Sequence, residues 1–224
     1  MHRAIRFCCA LALAWLAAAC AAPSVPAPPI SSAEQCLRDL GALGVGFHAA
    51  ATPVSNGPCA VANPVEVQST GLPWNHPGLL SCSMAEKVDR FTVEVVEPLA
   101  QRYFAMPVIR LNQIGAYSCR AIAGHAGRWS EHAVGRAIDI AGFDLANGDT
   151  ISVQRDWYAG GPKGAFLRAV AEGACTYFSV VLTPESNRDH YNHMHFDIGP
   201  YKLCEADGRK VWSHSPPTRI GAGT

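Results

Sequence analysis

The stretch WSEHAVGRAIDIAGF, from Trp129 to Phe143, combines a histidine, a glycine and an alternating strand pattern. Alternation in RAIDIAGF places Ile138 and the next isoleucine on one face of a strand and Asp139 on the other face. Gly135 allows the chain to turn ahead of this strand, so that His132 can swing back towards Asp139. The pattern predicts a strand with one apolar face and one face that carries chemistry.

A second stretch, DHYNHMHFDIG from Asp189 to Gly199, contains three histidines and two aspartates. In HMHFDI, alternation places His193, His195 and Asp197 on one face and apolar side chains on the other. Together the two stretches can bring two imidazole nitrogens and one carboxylate oxygen to one point. That is the ligand set of a catalytic zinc ion (Zn2+), which has three protein ligands and one open position. We therefore expect a zinc site.

The rest of the chain predicts helices that interleave with short strands. A helix is expected over SAEQCLRDLGALG, ended by Gly41 or Gly44. Apolar residues at steps of three and four predict a longer helix over residues 83–104, which Pro98 should kink or split. A further helix, GAFLRAVAEGAC, should close at Gly173, and strands are expected at PVEVQ, PVIRLNQIG, FSVVLTP and HMHFDIG. The predicted fold class is α+β, with helices packed on a small antiparallel sheet that carries the zinc site.

The first thirty residues resemble an export signal and a linker. The basic segment Met1–Arg6 precedes the apolar run Phe7–Ala18, so residues 1–19 are predicted to be a signal peptide. LAAAC resembles a bacterial lipobox, in which Cys20 would become the lipidated first residue of the mature protein. The alternative is ordinary cleavage at the alanine-rich site, which would release a soluble protein. The Pro/Ala-rich residues 20–31 suit a tether, and we expect a periplasmic protein, lipid-anchored to the outer membrane.

Composition limits the classes of partner. The chain of 224 residues has 49% apolar residues, which suits one globular domain, and we expect a monomer. Its 18 basic residues are balanced by 18 acidic ones, and there is no basic run. Neither the charge nor its pattern indicates nucleic-acid binding. Contact with a membrane is expected only through the lipid anchor.

The cysteines predict a disulfide framework. Six follow Cys20, none of them in a C-x-x-C pair, and an even number in an exported chain favours three disulfides. Among the possible pairings we favour the sequential one: Cys36–Cys59, Cys82–Cys119 and Cys175–Cys204. The first bond would make residues 32–80 an N-terminal disulfide-stapled segment, ahead of a core over residues 81–205 and a tail over residues 206–224.

The motifs resemble two related groups of proteins. SEHAVGRAIDI fits the S-x-H-x-x-G-x-A-x-D pattern of the zinc peptidases that include D-alanyl-D-alanine carboxypeptidases, lysostaphin-type enzymes and the hedgehog signalling domain, and HMH fits their terminal H-x-H. From about Cys36 to Cys204 the chain resembles the bacterial extensin-like C-terminal domain family. That resemblance rests on SC at 81–82, YSCR at 117–120, GAC at 173–175 and the two histidine-containing stretches.

The resemblance implies roles for individual residues. His132, Asp139 and His195 match the three zinc ligands. His193 matches the histidine that acts as a base or stabilises the oxyanion. Arg120 resembles the arginine that, in the carboxypeptidase branch, faces a substrate carbonyl or carboxylate. The implied substrate, in a cell envelope, is the peptide stems or cross-links of peptidoglycan.

The sequence departs from the carboxypeptidase pattern at one position. Where that branch has a glutamate base, three residues before the last ligand, this chain has Asn192. His190 or His193 would have to accept the proton instead. The absence of the glutamate leaves a rival interpretation open, in which the chain is a non-catalytic wall-binding or structural domain that retains the metal site.

Overall fold

The computed structural model describes residues 31–50, 57–125, 127–206 and 211–212. The predicted signal peptide, Cys20 and nearly all of the predicted tether and tail lie outside these residues. Among the described residues, no helix is long and apolar enough to cross a membrane.

The described residues form five α-helices: α1 Ser32–Leu43, α2 Cys82–Phe91, α3 Glu97–Phe104, α4 Val153–Asp156 and α5 Pro162–Ala174. The strands are β1 Gly46–Ala49, β2 Pro64–Thr70, β3 Leu72–Ser81, β4 Val108–Gly115, β5 Ala137–Leu145, β6 Thr150–Ser152, β7 Val180–Leu182, β8 Met194–Asp197, β9 Leu203–Cys204 and β10 Val211–Trp212. The predicted α+β class is confirmed.

The sheet is larger than predicted and is mixed rather than antiparallel throughout. Its strand order is β1-β2-β3-β4-β5-β8-β7-β9-β10, and β6 pairs with β5. The pairs β3–β4 and β7–β9 are parallel, whereas the other pairs are antiparallel. β1, β2 and all of β3 except its last residue belong to the segment over residues 32–80, so that segment supplies one side of the sheet rather than a separate unit.

The predicted long helix is interrupted, as expected, but one turn ahead of Pro98. A π-helical segment, Thr92–Val96, separates α2 from α3, and Pro98 lies in the first turn of α3. Proline has no N–H to donate and its ring crowds the preceding turn, which explains why the irregular backbone comes before it. The helix α5 ends at Ala174, one residue after the predicted end at Gly173, and the missing Cβ of Gly173 leaves room for Val95 of the π-helical segment.

The apolar faces of β5 and β8 form the centre of the core. Ile138 and Ile140 of β5 and Met194 and Phe196 of β8 are fully buried. The Phe196 ring stacks on Phe178, with ring centroids 5.1 Å apart. A slip of one residue in either strand would turn these side chains out of the core, so their burial fixes which face carries the polar groups.

The described part of the chain contains three disulfides, but two of the predicted pairings are wrong. Cys36 bonds to Cys82 and Cys59 bonds to Cys119, whereas Cys175–Cys204 is the predicted pair. The sequential pairing fails because α1 packs against α2 instead of closing on its own segment. Likewise, the turn that carries Cys59 lies against the chain after β4. Both bonds therefore tie residues 32–80 to the core over residues 81–205.

Candidate metal centre

His132 lies in a short turn whose two ends are fixed by its neighbours. The 3-10 turn Glu131–Val134 is capped by Ser130, whose side chain accepts a hydrogen bond from the His132 N–H. Gly135 ends the turn in the left-handed conformation, with φ 66°. That conformation suits glycine because it has no Cβ. The predicted turn between His132 and β5 is confirmed.

Asp139 and His195 face each other across neighbouring strands. They are direct partners in the antiparallel β5–β8 pairing. Partners in such a pairing point to the same face of the sheet, so both side chains leave the core on the side of His132. On the other edge of β5, Asp139 pairs with Gly115 of β4, and a Cβ at Gly115 would lie only 2.5 Å from Asp139 Oδ2. The absence of a side chain there leaves room for the carboxylate.

Three ligand atoms converge at this point. His132 Nε2 lies 3.2 Å from Asp139 Oδ1 and 3.1 Å from His195 Nδ1, and His195 Nδ1 lies 2.9 Å from Asp139 Oδ1. Tetrahedral bonds of about 2.0–2.1 Å to one zinc ion place neighbouring ligand atoms roughly 3.3 Å apart. The observed triangle is therefore close to the size that a tetrahedral ion needs. Among the described residues, this is the one set of metal-ligating side chains that meets in this way.

The outer nitrogen of each imidazole is held by an oxygen that can only accept. His132 Nδ1 is hydrogen-bonded to the carbonyl oxygen of Ala116, and His195 Nε2 to the Asp197 carboxylate. Each outer nitrogen therefore carries the proton, and in the neutral ring the inner nitrogen presents a lone pair. Two nitrogen lone pairs and a carboxylate oxygen then face one another at about 3 Å, an arrangement that a cation stabilises.

The pKa shifts of Asp139 and His195 also indicate that the site favours a positive charge. Burial alone would raise the pKa of Asp139, but the contacts of its carboxylate with the His132 and His195 rings hold this pKa well below its usual range. Burial would lower the pKa of His195, but Asp139 and Asp197 raise it to about 9. Asp139 is therefore ionised at neutral pH, and a proton on His195 supplies the positive charge when no metal competes for the site.

Two further histidines border the three ligand atoms. His193 Nε2 lies 3.5 Å from Asp139 Oδ1, and the His190 ring lies 5.0 Å from the His193 ring. Burial lowers the pKa of His193, and it lowers that of His190 to about 4 with help from the neighbouring histidines. Both rings are therefore neutral at pH 7. The structure thus brings both of the predicted proton acceptors to the candidate metal centre.

A cleft of about 390 Å³ opens beside the three converging ligand atoms, which are called the donor set below. The cleft lies between residues 76–79 of β3 and residues 113–118. Arg120 lines it together with His132 and Asp139. Among the described residues, no carboxylate forms an ion pair with the exposed Arg120 guanidinium. The cleft therefore contains a cation that is free to meet an anionic or carbonyl group of a ligand.

Sequence reasoning missed several residues of the site. Gln113 and His76 line the cleft, and Ala116 contributes through its backbone carbonyl, which no sequence pattern reveals. Strand alternation puts Asp197 on the correct face of β8 but gives no sign that it is the hydrogen-bond partner of His195. No sequence pattern identifies Gly115 either, because its contribution to the site is the room that its missing side chain leaves for the Asp139 carboxylate.

Comparison with known proteins gives one result. No curated protein matches the chain. The family model described as "Extensin-like protein C-terminus" matches residues 34–205, which include every described residue of the metal centre and of the cleft. Because this match covers most of the chain, the protein belongs to the extensin-like protein C-terminus family.

Proposed function

We propose that the chain is a zinc-dependent hydrolase that cleaves peptide bonds of peptidoglycan in the bacterial cell envelope. We further propose that it is related to the zinc peptidases whose motif it resembles. The observation that carries the proposal is the convergence of His132 Nε2, Asp139 Oδ1 and His195 Nδ1 beside an open cleft.

The donor set suits zinc better than calcium or magnesium. Two imidazoles and one carboxylate are typical zinc ligands, whereas calcium and magnesium prefer oxygen ligands throughout. His132, Asp139 and His195 would hold the ion, and Ala116 and Asp197 would keep both rings turned towards it. When bound, zinc makes water more acidic and polarises a carbonyl group.

The neighbouring side chains would carry the remaining steps of hydrolysis. His193, neutral at pH 7 and next to Asp139, would accept a proton from the attacking water as the water oxygen bonds to the amide carbon. The same proton would then pass to the leaving nitrogen as the C–N bond breaks. Arg120 would donate hydrogen bonds to the substrate carbonyl oxygen or to a nearby carboxylate.

In the periplasm, where we expect the protein, the cleft would lie close to peptidoglycan. We propose that the chain is exported to the periplasm and that a lipid on Cys20 holds it at the outer membrane as a monomer. Fractionation and intact-mass measurement test this, because Cys20→Ala should release the protein into the soluble fraction and remove the mass of the acyl chains. An unchanged fractionation without acyl mass would favour simple secretion.

A second candidate is a non-catalytic domain that binds or organises the cell wall. Asn192, at the position of the glutamate base in the carboxypeptidase branch, favours this candidate. The two functions differ in their products, because a hydrolase changes the mass of its substrate and a binding domain does not.

The decisive experiment follows muropeptides by mass spectrometry after incubation of purified protein with peptidoglycan digests. The digests are treated with and without a chelator, and His195→Ala and His193→Ala are compared with the parent protein. His48→Ala is the matched control, because His48 is exposed on β1, at the far end of the sheet from β5 and β8.

A hydrolase should remove an amino acid or open a cross-link only when zinc is present. His195→Ala should abolish the product, His193→Ala should reduce it strongly without loss of zinc, and His48→Ala should leave it unchanged. Binding to intact sacculi without any product, unaffected by His193→Ala, would establish the binding domain instead.

A further inference from the structure

Each of the two histidines beside the donor set is hydrogen-bonded to an asparagine in its own loop. His190 Nδ1 lies 2.8 Å from Asn187 Oδ1, and His193 Nδ1 lies 2.8 Å from Asn192 Oδ1. A neutral imidazole has one nitrogen that donates and one that accepts. The atom of the asparagine that meets Nδ1 therefore determines which nitrogen of each ring is left to accept a proton.

The orientation of the Asn187 amide is fixed by the backbone. Asn187 caps the 3-10 turn Arg188–His190, and its Oδ1 accepts a hydrogen bond of 2.9 Å from the Asp189 N–H. An atom that accepts from a backbone N–H is the amide oxygen and not the nitrogen. The same oxygen faces His190, so His190 Nδ1 must be the donor and Nε2 carries the lone pair.

Asn192 meets His193 in the same way, with Oδ1 against Nδ1. With Nδ1 donating, the lone pair of His193 is on Nε2, which is the atom that lies 3.5 Å from Asp139 Oδ1. The nitrogen that can accept a proton therefore borders the three proposed ligand atoms, whereas the protonated nitrogen points to the asparagine.

We infer that Asn187 and Asn192 are positioning residues that hold His190 and His193 as the Nδ1–H tautomer, which leaves Nε2 of each ring available as a proton acceptor and places that of His193 at the candidate metal centre. The catalytic meaning of this inference rests on the proposed function, but the tautomers do not. An amide cannot act as a base, so Asn192 replaces the glutamate of the carboxypeptidase branch with a group that orients a neighbouring base.

The tautomers are measured directly by NMR. Long-range 1H–15N spectra of zinc-loaded, 15N-labelled protein separate protonated from unprotonated ring nitrogens, and His193→Gln and His190→Gln assign the signals. The informative pair of variants is Asn192→Asp, which keeps an oxygen that can only accept, and Asn192→Ala, which removes the partner. Asn147→Ala, in the turn between β5 and β6, is the matched control.

We expect the Nδ1–H tautomer for both histidines in the parent protein and in Asn192→Asp, and a mixture of tautomers for His193 in Asn192→Ala. Asn187→Asp should likewise preserve the tautomer of His190, because aspartate also caps helical turns. On peptidoglycan digests, Asn192→Ala should lower kcat by roughly 10–100-fold with unchanged KM and zinc content, as expected for loss of a group that orients a catalytic side chain. Asn192→Asp should rescue kcat to within a few-fold of the parent value.

An Nε2–H tautomer of His193 in the parent protein would overturn the inference, as would an unchanged tautomer in Asn192→Ala. If Asn192→Ala does not fold, Asn192→Asp still decides, because a switch from Nε2–H in the parent to Nδ1–H in that variant would mean that the Asn192 nitrogen had been the contacting atom in the parent. A parent protein with the expected tautomers but without any muropeptide product would refute the proposed hydrolase and leave the tautomer assignment in place.

Discussion

Substitution of Gly115 by alanine should weaken zinc binding without unfolding the protein. Gly115 lies on β4 directly opposite Asp139, and its φ is outside the left-handed region, so alanine can adopt its backbone conformation. The new Cβ, however, would lie 2.5 Å from Asp139 Oδ2 and 3.2 Å from both Cβ and Cγ of Asp139. The three atoms nearest to the new Cβ therefore all belong to one proposed ligand, Asp139.

The size of the effect follows from these distances. Ordinary contact begins at about 3.4 Å, so the Asp139 carboxylate must move by about 0.9 Å. Ligand distances in metal sites are held to about 0.2 Å, and loss of a supporting residue typically costs about 10–100-fold in affinity. We expect the zinc Kd to rise by about that factor, which corresponds to about 1.4–2.7 kcal/mol.

The assay is a zinc titration in competition with a chromophoric chelator, together with thermal unfolding of the metal-free protein. The Tm of metal-free Gly115→Ala should stay close to that of the parent, because the lower entropy of the unfolded chain offsets part of the cost of displacing the Asp139 carboxylate. Gly41→Ala, in α1, is the matched control, because a Cβ there meets nothing within 4 Å. If Gly115→Ala bound zinc as tightly as the parent while His132→Ala did not, Asp139 would not be the ligand we propose.

Three further predictions concern the scaffold. Peptide mapping without reduction should recover Cys59 joined to Cys119, and replacement of both by serine should lower the free energy of unfolding by about 4 kcal/mol in the chain-entropy model; recovery of the sequential pairs would contradict the structure. Gly135→Ala should destabilise the protein by at least about 1 kcal/mol in urea unfolding, because the added Cβ would meet backbone at 2.9 Å and φ is 66°; an unchanged midpoint would refute this. Burial would raise the pKa of Asp144, but its polar partners, Arg110 among them, lower it, so its stabilising effect is present above about pH 4 and is lost as the pH falls. Asp144→Asn should therefore cost more stability at pH 7 than at pH 3, and an equal cost at both would contradict the assignment.

The polar faces of the two key strands could be predicted because strand periodicity is local. In β5 and β8 the isoleucines, Met194 and Phe196 all face the core, so Asp139 and His195 had to face the other way. Gly135 likewise marked the turn that returns His132 to the strand. These signals rest on neighbouring residues alone, which is why the sequence was enough to group the three side chains.

The disulfide pairing and the extent of the sheet could not be predicted in the same way. Both depend on contacts between segments far apart in the chain, such as α1 against α2, which places Cys36 beside Cys82. Sequential pairing assumed that residues 32–80 close on themselves, whereas their strands extend the main sheet. No local pattern distinguishes these two outcomes, because each cysteine has the same neighbours in sequence in either pairing.

The site itself combines both kinds of information. The three proposed ligands are side chains that a local sequence pattern identifies. Their orientation, however, depends on a backbone carbonyl and on the room left by a missing side chain. The Ala116 carbonyl turns His132 towards Asp139, and the missing side chain of Gly115 admits the carboxylate. Both residues follow one another at the end of β4, so this strand end sets the positions of two proposed ligands without supplying either. A variant that moves the end of β4 should therefore disturb the donor set more than one that alters an exposed side chain of the cleft.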